Sequence, residues 1–364
     1  MRPAAGPDAI LNDVMGTVEV RDAYLALVDR LAGRRVAVVG DVVADEFVYG
    51  QVERISREAP VLILEYGSTE ILPGAAANAA NNVAALGGLV RLAAVVGADD
   101  AGRSLLRALP GGVNRRGVLR DPSRRTPVKT RILAGGVHSA RQQIVRIDRG
   151  ARQSVDARQR TAFAARALAA VRSCDAVLVS DYGSGLVTPA LVSRLRVAAR
   201  RPGLARGLRS PVLVDTRHRL LSYRGLTMCA PNESEVEQAL DMEIMDDRRA
   251  LERAGRAVLS RTRMAAVLVT RGSGGMALFE TGRPTVHIPI FGSDEIADVT
   301  GAGDTVMAMV TLAVAAGATF EQAARLANYA GGIVVMKRGT ATVSAAELRQ
   351  AVLTDSESRG RARG

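Results

Sequence analysis

Asp298-Val299-Thr300-Gly301-Ala302-Gly303-Asp304 runs directly into Thr305-Val306-Met307-Ala308-Met309-Val310, and this stretch decides the fold. Three small residues let a backbone approach a ligand closely. The apolar run after them predicts a helix whose free N–H groups and positive dipole end face the same point. That is an anion site built from main chain, and Asp304 places a carboxylate inside it. The pairing suits a proton acceptor. Asp304 would take the proton of a hydroxyl attacking a phosphoryl group, while the N–H groups of Gly301, Ala302, Gly303 and Asp304 hold the charge on that group.

Outward from this stretch, apolar runs alternate with helical patterns. Strands are expected at 36–39, 92–96, 176–180, 212–215, 226–230 and 265–270, and helices at 20–32, 74–86, from 99, 154–171, from 188 and from 245. Two long apolar helices, 302–316 and 321–336, close the pattern. Strands alternating with helices predict a mostly parallel sheet covered on both faces, with its active residues at the carboxyl ends of the strands. Four short strand patterns at 46–51, 61–66, 127–134 and 141–147 fall outside that alternation, and are expected to form a small lid sheet. The domain reading is an N-terminal extension and helix over 1–34, one α/β domain over 35–353 with lid strands within 46–67 and 127–148, and a disordered tail over 354–364.

Composition narrows the function classes. The formal net charge is +12, and all but two of the 49 basic residues are arginine, the exceptions being Lys129 and Lys337. The arginines are scattered without interleaved aromatics, zinc-ligand spacing or a helix-turn-helix pattern, so nucleic acid is not the expected partner. Attraction of anionic, phosphorylated substrates is the simpler use of the charge. No apolar run reaches membrane-spanning length, and the chain is expected to be soluble and cytoplasmic. Cys174 and Cys229 lack ligand spacing and are read as inert.

Several polar groups sit at the predicted strand ends and helix starts, each with a bland reading beside the chemical one. Asp41 and Asp45 are either solvated turn acids or paired carboxylates accepting hydrogen bonds from sugar hydroxyls. Gly74 and Asn78, in Pro73-Gly74-Ala75-Ala76-Ala77-Asn78, serve close helix–sheet packing or reach a hydroxyl. Asn232 and Glu235 form a capping box, or organise water around Mg²⁺ and nucleotide phosphates. Thr270, Arg271, Gly272 and Gly275 make a β-turn, or a glycine-rich strand end along a nucleotide's phosphates; the Walker A ending is missing. Lys129 and Arg131 share one face of a lid strand.

In this order these segments resemble the ribokinase/PfkB carbohydrate kinases. Asp298 to Asp304 matches that family's C-terminal signature residue for residue, Pro73 to Gly87 its N-terminal signature, and Asn232 with Glu235 its N-x-x-E motif. The resemblance spans about 36–346. Within the family the chain is similar to the heptose 7-phosphate kinases of ADP-heptose biosynthesis, through Gly40–Asp45, Arg54–Val61, Gln142–Asp148 and Ser180–Gly183.

The resemblance implies a ribokinase-like fold. It also implies ATP-dependent phosphorylation of the anomeric hydroxyl of D-glycero-β-D-manno-heptose 7-phosphate, with Mg²⁺. It adds Gln143, Arg146 and Asp181 to the acceptor side, Asn328 to the nucleotide side, and Asp298 with Thr300 as a site for a monovalent cation such as K⁺. A homodimer paired through the lids is implied too. The chain departs from the pattern at Ala75, Ser184 and Arg141, which replace a glycine, a lysine and an asparagine. A kinase for another acceptor, or a silent sugar or nucleotide sensor on this fold, are the rival expectations.

Overall fold

The computed structural model describes residues 19–135, 142–150, 153, 155–199, 209–245, 247–292 and 298–361, with side chains to Asp355. Arg141, the extension before residue 19 and the tail after 361 lie outside these residues.

Nine strands form the main sheet, in the order Val286–Ile288, Met276–Glu280, Ala266–Thr270, Met228–Cys229, Val212–Thr216, Ala176–Asp181, Arg35–Gly40, Leu89–Ala93, Val113–Asn114. Seven run parallel, and the hairpin of Met276–Glu280 with Val286–Ile288 adds an antiparallel edge. The strands read as unbroken apolar runs because both faces are covered. Their side chains alternate between two cores. Val36, Val38, Leu178, Leu213 and Leu268 enter one, while Ala37, Val39, Val177, Val179, Val212, Val214, Val267 and Val269 enter the other. Helices Ala76–Ala85, Ala302–Ala315 and Phe320–Val335 belong to the first core. Ala157–Ala170, Pro189–Ala198 and Arg248–Thr262 belong to the second.

The lid forms as expected, with longer strands. Its sheet has the order Leu62–Ala75, Val42–Ile55, Val128–Gly135, Gln142–Arg149. Two expectations shift. The helix expected from Gly74 starts at Ala76, because Gly74 and Ala75 still pair with Val43 and Val42 of the neighbouring strand. Ala75 then turns the chain at φ 55°, in the region that favours glycine. At the other end, helix Ala345–Arg361 continues past residue 353, so no tail begins at 354. Leu348, Ala351 and Val352 are buried in the first core and carry the helix onward. Among the described residues no helix is long and apolar enough to cross a membrane.

Candidate active site

Gly301 caps helix Ala302–Ala315 at φ 78°, and no side chain occupies the cap position. A Cβ on Gly301 would meet Asn78 Nδ2 at 2.4 Å, so glycine is required there twice over, by conformation and by space. Nothing lies within 4 Å of a Cβ built on Gly303. Ala302 N–H donates to the Val299 carbonyl oxygen at 3.2 Å, so the first turn opens onto free space at Gly303, where the sequence predicts an anion site.

Asp304 lies in the first turn and is 5% exposed. Asn78 donates from Nδ2 to its Oδ2 at 3.0 Å, and the Tyr182 hydroxyl donates to its Oδ1 at 3.0 Å. Asn78 is itself held by Asn82, whose Nδ2 donates to Asn78 Oδ1 at 3.0 Å. Burial pushes the Asp304 carboxyl up to about 6, against the two hydrogen bonds that favour its charged form. A carboxyl titrating near neutrality is in the range that suits a general base.

Asp304 faces a cavity of about 330 Å³. One wall holds the chain from Gly301 to Asp304. Another holds Asn232, Glu235, Thr270, Gly272 and Gly275, with Ala230, Met276, Ile290, Val299 and Asn328 around an apolar part. The expected nucleotide residues are thus brought together, Arg271 excepted. Arg271 turns away and pairs with Glu233 at 2.6 Å. Asn232 and Glu235 do form the capping box, with N–H to oxygen distances of 3.0 and 2.8 Å, and line the cavity as well. Gly275 brings the strand edge close, since a Cβ there would sit 2.1 Å from the Ile288 carbonyl oxygen.

The acceptor residues divide. Asp45 is 5% exposed, pairs with Arg131 at 2.5 Å, and fills the space that a side chain on Gly74 would need. Asp41 is buried and accepts from the N–H groups of Tyr182 and Ser184 and from the Ser184 hydroxyl. Burial raises the carboxyl pKa of both acids. Lys129 stands 5.4 Å from the Tyr182 ring centre, and burial lowers its pKa. Asp181 corrects the expectation. It is 1% exposed and points inward, accepting from Gly183 N–H, the Thr216 hydroxyl and the Tyr223 hydroxyl. It braces the loop after its strand. Gln143 and Arg146 lie on the exposed outer lid strand; Arg146 pairs with Asp148 at 2.9 Å, and its charge reaches the Asp45 carboxyl and lowers its pKa. Asp298 accepts from the N–H groups of Thr300 at 2.8 Å and Gly339 at 3.1 Å, so it ties two loops together. No cluster of three or more His, Cys, Asp or Glu suited to a metal occurs among the described residues. Both cysteines are buried and free, and burial raises their pKa.

Three residues of the site had no role in the sequence reading. Tyr182, Asp215 and Arg217 all line the cavity. Asp215 ends strand Val212–Thr216 next to its last residue; burial and the nearby carboxylates of Asp304 and Glu235 push it up to about 8. Arg217 stacks on Tyr182, 4.6 Å from the ring centre. The available signal was position alone, since Asp215 and Tyr182 follow apolar strands at their carboxyl ends.

The family model described as pfkB family carbohydrate kinase matches residues 34–347. The chain is 42% identical over 313 residues to the bifunctional protein HldE of Geobacter sulfurreducens, covering 85% of this chain and 61% of that protein. It is 42% identical over 332 residues to HldE of Caulobacter vibrioides, covering 90% and 65%. The chain thus spans less than two thirds of these relatives' length. Among solved structures, Arabidopsis thaliana ribokinase complexed with ribose and ATP aligns at TM-score 0.63 and 21% identity, over 90% of this chain and 99% of that one. Escherichia coli phosphofructokinase-2 in complex with potassium aligns at TM-score 0.68 and 15% identity, over 89% and 99%. The chain belongs to the pfkB family of carbohydrate kinases.

Proposed function

We propose that the protein transfers the γ-phosphoryl group of ATP to the anomeric hydroxyl of D-glycero-β-D-manno-heptose 7-phosphate. The observation that carries the reading is Asp304, a buried carboxylate with a pKa near 6, in a helix first turn that opens onto free space at Gly303. The HldE likeness supports the choice of acceptor.

Asp304 accepts the acceptor hydroxyl's proton as that oxygen bonds to the γ-phosphorus; the bond from phosphorus to the bridging oxygen breaks, and ADP leaves with the electron pair. N–H groups at the start of helix Ala302–Ala315 take up charge on the equatorial oxygens. The cavity fits a nucleotide, with apolar walls for a base and the glycines at 272 and 303 leaving backbone bare for phosphates. Asp215 and Glu235 both line it, close enough for one carboxylate's charge to raise the other's pKa, and would hold Mg²⁺ through water, which would neutralise phosphate charge. Each Asp298 oxygen accepts one backbone N–H and keeps a lone pair, so Asp298 and Thr300 stay assigned to a monovalent cation such as K⁺. On the acceptor side Asp45, Gly74, Asn78, Lys129 and Arg131 are the contacts we assign. The lid exposes Ile55, Val61, Tyr66 and Ile147, and we assign this face to a homodimer.

Ser184 favours a second reading, a different sugar phosphate, because its hydroxyl occupies Asp41 where the resembling kinases carry lysine. ADP release measured over a panel of sugar phosphates separates the two. Highest kcat/KM with the heptose 7-phosphate supports the first reading, and preference for another acceptor supports the second. No release with any of them sinks both.

A further inference from the structure

Two cations from different parts of the fold lie over the Tyr182 ring. Lys129 comes from lid strand Val128–Gly135, and Arg217 follows the main-sheet strand Val212–Thr216. Arg217 also donates from Nη2 to the Tyr182 hydroxyl at 3.5 Å, and it makes no salt bridge within 4 Å among the described residues. Below the ring, the Tyr182 backbone N–H donates to Asp41 at 2.9 Å. The chain is therefore fixed at one end by Asp41 and the ring by two positive charges. What this fixing delivers is the hydroxyl, 3.0 Å from Asp304 Oδ1. The other carboxylate oxygen is held by Asn78, on a third element.

We infer that Tyr182 is a positioning residue, whose hydroxyl orients the Asp304 carboxylate and stabilises its charged form before an acceptor arrives. The inference rests on the reading of Asp304 as proton acceptor. Its basis is the convergence of a lid residue, a sheet-end residue and a helix-start residue on one phenol. Tyr182 holds its own proton throughout, because burial and the Asp304 charge keep its pKa far above neutrality. The charged and titratable groups around the pair are Asp45 and Lys129 from the lid, Asp41 from the first strand's end, and Asp215 and Arg217 from the end of Val212–Thr216. Burial and Asp45 push the Asp304 carboxyl up, and Arg217, Asn78 and Tyr182 pull it down. Removing only the phenol oxygen takes away one of the three groups that pull down, together with the 3.5 Å hydrogen bond from Arg217, and leaves the ring with both cations over it.

Tyr182→Phe tests this with two readouts. The first is the titration of the Asp304 carboxyl, isolated by infrared difference spectra against Asp304→Asn, which needs no turnover. An upward shift of about one pH unit relative to the wild type is expected. The second is the pH profile of turnover, whose acid limb should move up by the same amount, so that kcat falls by about 10-fold near pH 5 and by about twofold at pH 7, with KM for ATP nearly unchanged. An Asp304 titration unmoved in Tyr182→Phe overturns the inference, even if turnover falls. A wild type without phosphoryl transfer, but with the titration shift present, overturns the function and leaves the positioning standing. Thermal melts of the variant close to those of the wild type separate the effect from loss of fold, and Lys129→Met, which keeps the hydroxyl, should shift the titration less.

Discussion

Asp304→Asn should stabilise the protein at neutral pH, by an amount that depends on pH. The unfolded carboxyl titrates near 3.8 and the folded one near 6, because the folded state withdraws it from water. Between those values the native state binds more protons than the unfolded chain, so stability falls as pH rises. The cost of holding Asp304 charged is absent below about pH 4, grows through the interval, and is complete above pH 6. Two pKa units correspond to about 3 kcal/mol in full. Asparagine does not titrate, so its stability relative to aspartate should improve by about 2 kcal/mol between pH 4.5 and 7.5. Part of the gain is offset by one mismatched hydrogen bond, since Asn78 and Tyr182 both donate to the carboxylate; that loss is the same at both pH values. Urea unfolding of both proteins at the two pH values measures the difference directly. A stability difference that stays constant with pH refutes the argument, because it means that the native carboxyl is not held against ionisation.

Further outcomes follow from backbone and packing. Ala75→Gly should raise stability by about 1 kcal/mol, because Ala75 sits at φ 55° with its Cβ penalised; an unchanged unfolding midpoint would count against that strain. Gly301→Ala should cost about 2–4 kcal/mol, adding the left-handed penalty to displacement of Asn78, and should lower kcat more than stability alone explains. A variant with full activity and normal melting would show that Asn78 yields freely. Ile147→Asp, on the exposed lid face, should convert a homodimer to monomer in sedimentation, and a wild type that sediments as a monomer contradicts the lid assignment.

Much of the architecture is legible in the chain. Continuous apolar strands announce burial on both faces, and the shorter, mixed patterns near 46–67 and 127–148 separate the lid. The Asp298–Asp304 stretch is legible because its chemistry is local: one turn of helix, one cap, one carboxylate. Asp181 was misplaced for the converse reason. Every residue of Ala176–Asp181 is buried, so no polar alternation shows which way the last side chain points. Tyr182 and Arg217 are 35 residues apart, and both need the parallel pairing of their strands before they meet at the cavity. Arg271 and Glu233 lie 38 apart, and their ion pair likewise depends on tertiary closure. Gly74 was read into the helix because small residues continue across the boundary; only the strand pairing of Val42 and Val43 ends the sheet at Ala75.

The most direct measurement is transfer of the γ-phosphate of ATP to D-glycero-β-D-manno-heptose 7-phosphate by the wild type and by Asp304→Asn at saturating substrates. Transfer by the wild type is expected, with a loss of roughly 10²–10⁴ in kcat for the variant and ATP affinity retained. Near-normal turnover in Asp304→Asn would contradict the reading of Asp304 as proton acceptor.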